Sequence, residues 1–278
     1  MHSDCPACGG GRLSGHVPDA RKLNSSKVHP KVAVPAGARF GQCEDCGHVF
    51  LADAEYREAD YVKSEAAPAR HNWFFADRRA HVEVALAEMR RVSGKSKLRI
   101  LDFGCAYGNV ARLFMNRGHE AVGYDVAANH VEYARSHHGV EAYSGPWEEA
   151  RGAVGPVDVI YSENVFEHIP DPFGTLSDVS KRLGAGGVVY LSVPNFDCAE
   201  VGYVVPEHLQ YFRPRSTIRL AERAGYRVAS CRSGRPGIQK CHRLTGRIPP
   251  MPLVRAIDWL TSRVGRHGYS IRLCAVRR

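Results

Sequence analysis

The chain has 278 residues, 44% of them hydrophobic and 24% charged, which is enough apolar content for one full α/β domain plus a small accessory module and too much for a disordered polymer. Its longest apolar run, GVVYLSV from Gly187, is strand-sized, well short of the roughly 18 to 20 residues of a membrane-spanning helix. The opening MHSDCPACGGGR has neither an apolar core nor a small-residue cleavage site, so a cytoplasmic protein is expected. Thirty-eight Lys+Arg against 29 Asp+Glu leave a formal charge of +9, and the excess is concentrated in residues 201–278, where 16 basic side chains face three acidic ones. Such asymmetry implies either an anionic partner, whether nucleic acid, acidic membrane or phosphate-bearing small molecule, or simply an Arg-rich solvated surface.

Residues 1–55 read as a zinc-binding ribbon. Cys5 and Cys8 in CPACGG, and Cys43 and Cys46 in CEDCGH, form two C-x-x-C knuckles, each followed by a Gly whose left-handed freedom lets backbone N–H groups turn toward the thiolates. Four thiolates complete a tetrahedral set, so the zinc is expected to be structural, with no position left for a substrate; His48 is the weaker alternative ligand. Cys105, Cys198, Cys231, Cys241 and Cys274 are isolated and are expected as small core residues rather than as a disulfide framework.

Residues 56–97 form a linker and a helix from about Trp73 to Val92, with Phe75, Val82, Val84, Leu86 and Met89 on overlapping faces. From 98 to 278 strands and helices alternate. LRILDF, HEAVGYDV, VEAYS, VDVIYS, GGVVYLSV, YRVASC and YSIRLCAV read as strands, with helices in the intervening segments, which predicts a doubly wound, mostly parallel seven-stranded α/β sheet. Residues 232–267 read as a basic insertion before the last strand, containing an amphipathic helix with Leu253, Ile257, Leu260 and Val264 on one stripe.

The first strand of that sheet runs into LDFGCAYGN, where Gly104 and Gly108 allow a sharp turn and close approach of a ligand to the main chain. Ala106 stands at the middle position of a dinucleotide fingerprint, and no phosphate loop is present. Asp102 would repel a pyrophosphate but attract a ligand bearing a sulfonium and an ammonium. Asp125, at the end of the second strand, is placed to accept hydrogen bonds from two ribose hydroxyls. S-adenosylmethionine meets both conditions, whereas NAD meets only the second.

LDFGCAYG, YDVA, DVIYSENVFEHIPDP and PEHLQYFRPRSTIRLAERAGYRV, in that order over about residues 70–278, resemble the successive motifs of class I S-adenosylmethionine-dependent methyltransferases. With the four-cysteine ribbon in front, the chain is similar to the sugar C-methyltransferases of deoxysugar and glycan biosynthesis, whose further C-terminal domain has no counterpart in this length. The resemblance implies a Rossmann-like methyltransferase sheet. It also implies that Asp102, Gly104, Cys105 and Gly108 take the methionine portion, Asp125 and Val126 the ribose, Trp147 the adenine side, and that Ser162, Glu163 and Asn164 close over the methionine end.

Methyl transfer to a hydroxyl or carbon acid needs a base, and His168 in NVFEHIPDP and His208 in PEHLQYF both follow carboxyl ends of strands, where ligands bind in open sheets. His208, flanked by Glu207 and Tyr211, is the favoured base. The leading expectation is a small-molecule acceptor, anionic or sugar-containing, such as a nucleotide sugar or other glycan or natural-product intermediate. An RNA methyltransferase is the alternative that the basic C-terminal third supports, and a non-catalytic zinc scaffold is a third.

Overall fold

The structure, a computed structural model, describes residues 3–16, 38–52, 72–198, 207–234, 253 and 268–278. In chain order the strands and helices are β1 (Leu13–His16), β2 (Phe40–Cys43), β3 (Val49–Leu51), α1 (Asn72–Ser93), β4 (Arg99–Phe103), α2 (Asn109–Met115), β5 (Glu120–Asp125), α3 (Ala128–His138), β6 (Glu141–Ser144), α4 (Trp147–Ala150), β7 (Val157–Glu163), α5 (Pro172–Val179), β8 (Leu183–Pro194), β9 (Gln210–Tyr211), α6 (Pro214–Arg223), β10 (Tyr226–Gly234) and β11 (Ser270–Arg277). Single 3-10 turns lie at Phe166–His168 and Ser180–Arg182.

Seven strands form one sheet in the order β10-β11-β8-β7-β4-β5-β6. Neighbours from β8 to β6 are parallel, and β11 is antiparallel to both β8 and β10, so the doubly wound, mostly parallel sheet expected from the sequence is the one observed. The chain reverses its direction of winding at β4, whose two neighbours are β5 and β7. A crevice therefore opens beyond the carboxyl ends of these three strands, as the topology of such sheets requires.

Near-continuous apolar runs make these strands bury both faces. On one face, Val82, Ala85, Leu86 and Met89 of α1 recur at helical spacing and pack with Ile100, Leu113, Phe114, Val159, Tyr161, Val188 and Tyr190. On the other, Leu101, Phe103, Val122, Ile160, Leu176, Val179, Leu191 and Leu220 form the larger core. The sequence boundaries shift where local geometry intervenes. α2 stops at Met115, with Gly118 at φ 81° in the turn that follows. The helix begun by Pro172 tightens into a 3-10 turn at Ser180–Arg182. α5 starts where Asp171 caps it, its side chain accepting from Gly174 N at 2.9 Å.

The ribbon forms its own four-stranded antiparallel sheet, β1-β2-β3-β9. Its last strand comes from the methyltransferase-like half of the chain, with Val49 opposite Tyr211 and Phe50 opposite Gln210. Ribbon and sheet are thus joined by backbone pairing as well as by packing. Cys5, Cys43 and Cys46 are buried in the same core as Phe212, Leu220 and Ala221. Of the isolated cysteines, Cys105, Cys198 and Cys274 are buried and Cys231 half-buried; Cys241 lies outside the described residues. So does the amphipathic helix expected within residues 232–267, apart from Leu253, which is 50% exposed. Among the described residues no helix is long and apolar enough to cross a membrane.

Phe114 is fully buried and meets the Tyr161 ring edge-on at 5.1 Å, at the junction of α1, α2 and the sheet. Phe114→Ala should cost about 3 to 5 kcal/mol. Urea denaturation should show this as a lowered midpoint with an unchanged slope.

Candidate functional site

The crevice holds a cavity of about 690 Å³. Its floor is the turn after β4. Gly104 has φ 84° and Ala106 φ 44°, and the N–H groups of Gly104 and Cys105 both donate to Tyr124 O, at 2.7 and 2.9 Å. A Cβ on Gly104 would stand 2.2 Å from Val165 Cγ2, so glycine is required there by both backbone angle and space. Asp125 anchors the far side of the turn: its carboxylate accepts from Ala106 N at 2.8 Å and from Ala127 N at 3.0 Å. Gly108, at φ 76°, is the N-cap of α2 rather than part of the cavity wall.

Asp102 is 3% exposed and accepts from Ala111 N at 3.1 Å. Burial, reinforced by the nearby Glu163, pushes its carboxyl up to about 7. Glu163 is held by an ion pair to Arg78, by His81 Nδ1 at 3.2 Å and by the Tyr161 hydroxyl, which donates at 2.6 Å. Although burial opposes ionisation, the Arg78 guanidinium and these hydrogen bonds hold Glu163 below the usual carboxylate range. Beside it Asn164 lines the cavity in a left-handed conformation, φ 55°, its N–H donating to Ser192 O at 2.8 Å. Strained backbone at both Ala106 and Asn164 is held in place by these bonds.

Of the residues singled out for the cofactor, Asp102, Gly104, Cys105, Asp125, Val126, Trp147, Glu163 and Asn164 line this one cavity. Ser162 does not. It is buried, and its hydroxyl donates to Phe103 O at 3.0 Å, tying β7 to β4. Trp147 stands edge-on to Phe103 and Tyr124, at 5.4 and 4.9 Å, and its indole N–H donates to Asp178 at 2.8 Å. Arg78, Tyr107, His130 and Tyr161 also line the cavity and were not singled out. Arg78 and Glu163 meet only because α1 crosses the sheet there, and a separation of 85 positions carries no sequence signal.

His168, Ile169, Pro170, Thr175 and Glu207 line the cavity as well. His168 Nδ1 lies 2.7 Å from Glu207 O; a carbonyl only accepts, so Nδ1 carries the proton and Nε2 is the basic nitrogen. Nε2 is 3.8 Å from Glu167 Oε1, whose burial raises its carboxyl to about 8. His208 is not part of the lining. Its ring packs against that of His168, centroids 4.8 Å apart, and burial lowers it to about 3. Tyr211 points away from the cavity, 3% exposed between Phe40 and Phe196. The favoured base thus stands behind the less favoured one, because the 3-10 turn at Phe166–His168 brings His168 forward.

At the ribbon, the four sulfurs of Cys5, Cys8, Cys43 and Cys46 lie within 4.8 Å of one another, with Cys5–Cys46 at 3.7 Å and Cys8–Cys43 at 3.5 Å. A tetrahedral thiolate site with metal–sulfur bonds of about 2.3 Å has edges of about 3.8 Å, so the set fits a metal ion. Gly10 N points at Cys8 Sγ, 3.4 Å away, and Cys8 N at Cys5 Sγ, 3.5 Å away. The hydrogen bond with Cys46 pulls the Cys5 thiol down to about 4 while raising its partner. His48 is turned away, its Nε2 on Gln210.

A family model described as a methyltransferase domain matches residues 74–230. The chain is 27% identical over 155 residues to the ubiquinone biosynthesis O-methyltransferase of Vibrio cholerae serotype O1, a match spanning 48% of this chain and 63% of that protein. Two solved structures share the fold. The plantazolicin methyltransferase, in complex with a monoazolic desmethyl analogue and SAH, has a TM-score of 0.57 at 13% identity, covering 79% of this chain and 91% of its own. A TehB-like SAM-dependent methyltransferase from Corynebacterium glutamicum has 0.53 at 14% identity, covering 80% and 100%. Since the family match spans more than half of the chain and takes in β4 through most of β10, this protein belongs to the methyltransferase-domain family.

Proposed function

We propose that the chain transfers a methyl group from S-adenosylmethionine to a small-molecule acceptor. The observation that carries this reading is the clustering of three carboxyl groups, Asp102, Asp125 and Glu163, beside a glycine turn in a cavity that His168 also lines. Such a floor disfavours a pyrophosphate and favours a ligand with a sulfonium and an ammonium. The similarity to a ubiquinone biosynthesis O-methyltransferase and the fold shared with the plantazolicin methyltransferase support the same reading.

When bound, the cofactor would supply an electrophilic methyl carbon on a sulfonium whose sulfur would keep the electrons of the carbon–sulfur bond as the methyl leaves. The chain's contribution is alignment, exclusion of water and removal of a proton. Asp102 neutralises the ammonium, Asp125 holds the ribose through whatever acceptor capacity its two backbone bonds leave, and Arg78 keeps Glu163 charged at the methionine end. His168, with Nδ1 committed to Glu207 O, offers Nε2 to a hydroxyl or carbon acid at the acceptor end, and His208 acts through its contact with that ring. Among acceptors, a sugar or nucleotide sugar remains the finer reading, supported by the ribbon-plus-core arrangement. RNA is less favoured, since none of the described Arg residues of the basic C-terminal third lines the cavity. Cys5, Cys8, Cys43 and Cys46 are assigned to one structural zinc.

Incubation with labelled S-adenosylmethionine and a metabolite panel tests the proposal: label should pass to a small molecule. Transfer to RNA alone would overturn it.

Asp102 gives a pH prediction. Its folded value, about 7, lies above the ordinary 3.8, so between these limits the free folded protein holds a proton that the unfolded chain has released. That protonation stabilises the fold fully below 3.8 and no longer does so above about 7. A cationic ligand requires the carboxylate and expels the proton, so affinity should rise with pH and level off above 7. S-adenosylmethionine should bind about tenfold more weakly at pH 6 than at pH 8, with the difference flattened in Asp102→Asn.

Metal analysis gives another prediction. Protein purified without chelator should contain one zinc per chain, and Cys43→Ser should lose it.

A further inference from the structure

The ribbon lies outside the cavity lining, yet its second knuckle reaches the cavity wall through two side chains. His48, fully buried two residues after Cys46, places Nε2 2.9 Å from Gln210 Oε1. The Gln210 amide nitrogen donates at 3.1 Å to both Ile169 O and Pro170 O. Those two residues, with His168 before them, line the cavity, and on the proposed function they form its acceptor-side rim. The orientation of the amide follows from chemistry: two carbonyls can only accept, so the NH2 faces them, the oxygen faces His48, and His48 must donate from Nε2. Backbone bonds run the same way. Leu51 N donates to Leu209 O at 2.9 Å, and Leu209 N to Glu167 O at 2.7 Å.

At 2% exposure, Gln210 thus uses every polar hydrogen and its oxygen in joining the knuckle to the rim. Solvation does not require such an arrangement, and a buried amide is costly unless all of its bonds are made. By contrast, the cofactor half is held by bonds internal to the large sheet, from Asp125 to Ala106 and Ala127 and from Ser162 to Phe103. None of these passes through the ribbon.

We propose that Gln210 is a positioning residue for the acceptor half of the site, locking the His168–Pro170 rim to the four-cysteine ribbon, so that an intact ribbon sets acceptor geometry while leaving the cofactor half alone. This rests on the reading that the acceptor enters at His168. The ribbon accordingly braces the wall from behind as well as stabilising the fold. Its integrity should be felt first where the acceptor lies.

The test uses the full chain, with Gln210→Leu, which keeps volume but removes all three side-chain bonds, and wild type stripped of metal by a chelator. S-adenosylhomocysteine is the probe for the cofactor half. In Gln210→Leu, metal content should remain that of wild type and S-adenosylhomocysteine affinity should stay within about threefold. Amide exchange across residues 167–170 should accelerate at least about tenfold. The ¹⁵N signals of His168, which report an Nδ1-protonated ring in wild type, should move toward a mixture of tautomers. Metal-stripped wild type should reproduce the rim changes with the same preserved affinity. The proposal is overturned if rim exchange and the His168 signals match wild type in the variant or in the stripped protein. It is equally overturned if either loses S-adenosylhomocysteine affinity together with the rim, which would make the bonds a general support of the fold. Wild type that fails to bind S-adenosylhomocysteine would instead overturn the cofactor reading, and the rim measurements would still decide the role of Gln210.

Discussion

The turn between β4 and α2 hangs on the carboxylate of Asp125. Three residues of that turn, Gly104, Ala106 and Gly108, have positive φ, and for Ala106 this backbone is disfavoured by its Cβ. What holds it is the bond from Ala106 N to Asp125 at 2.8 Å, together with the paired N–H groups of Gly104 and Cys105 on Tyr124 O. Both partners lie at the end of β5, so the parallel register of β4 and β5 is what brings the turn and its anchor together. The crevice, the strained floor and the orientation of Asp102 all follow from that pairing. Asp125 therefore shapes the floor while lining the cavity, and a substitution there removes the turn's anchor.

Charge burial sets the chemistry above that floor. Asp102 and Glu163 are both buried carboxyl groups in one cavity, and they are driven in opposite directions. Glu163 has the Arg78 guanidinium, His81 and the Tyr161 hydroxyl and stays ionised. Asp102 has one backbone N–H and a carboxylate neighbour and is raised to about 7. One carboxyl in this cavity is thus satisfied by the protein and the other is left short of compensating charge, the arrangement on which the proposed cationic ligand rests. The same separation appears beside His168, where burial raises the Glu167 carboxyl to about 8 while His168 keeps a basic Nε2, so groups that can give and take a proton stand side by side.

How much of this was legible depends on the range of the interaction. The β-α alternation, the glycine turn and Asp125 could be read because each is a local pattern imposed by one strand and its following turn. The knuckles could be read because a metal site demands a fixed residue type at fixed spacing. What could not be read is long-range. The two-residue strand Gln210–Tyr211 has no periodicity and exists only through pairing with β3. The Arg78–Glu163 pair depends on where α1 crosses the sheet. His208 looked better placed than His168 because its neighbours Glu207 and Tyr211 looked like catalytic partners. In the fold Glu207 offers its backbone carbonyl to His168, and Tyr211 turns into the ribbon core.

The most direct test of the central claim, that this carboxylate-floored cavity is a sulfonium-cofactor site, is calorimetric titration of the full chain with S-adenosylmethionine and, in parallel, NAD. The account predicts one S-adenosylmethionine site per chain, no binding of NAD, and at least about tenfold weaker S-adenosylmethionine binding in Asp125→Ala, since charge-assisted bonds of roughly 1.5 kcal/mol or more each would be lost along with the turn's anchor. Binding of NAD in place of S-adenosylmethionine, or S-adenosylmethionine affinity indifferent to Asp125, would contradict it.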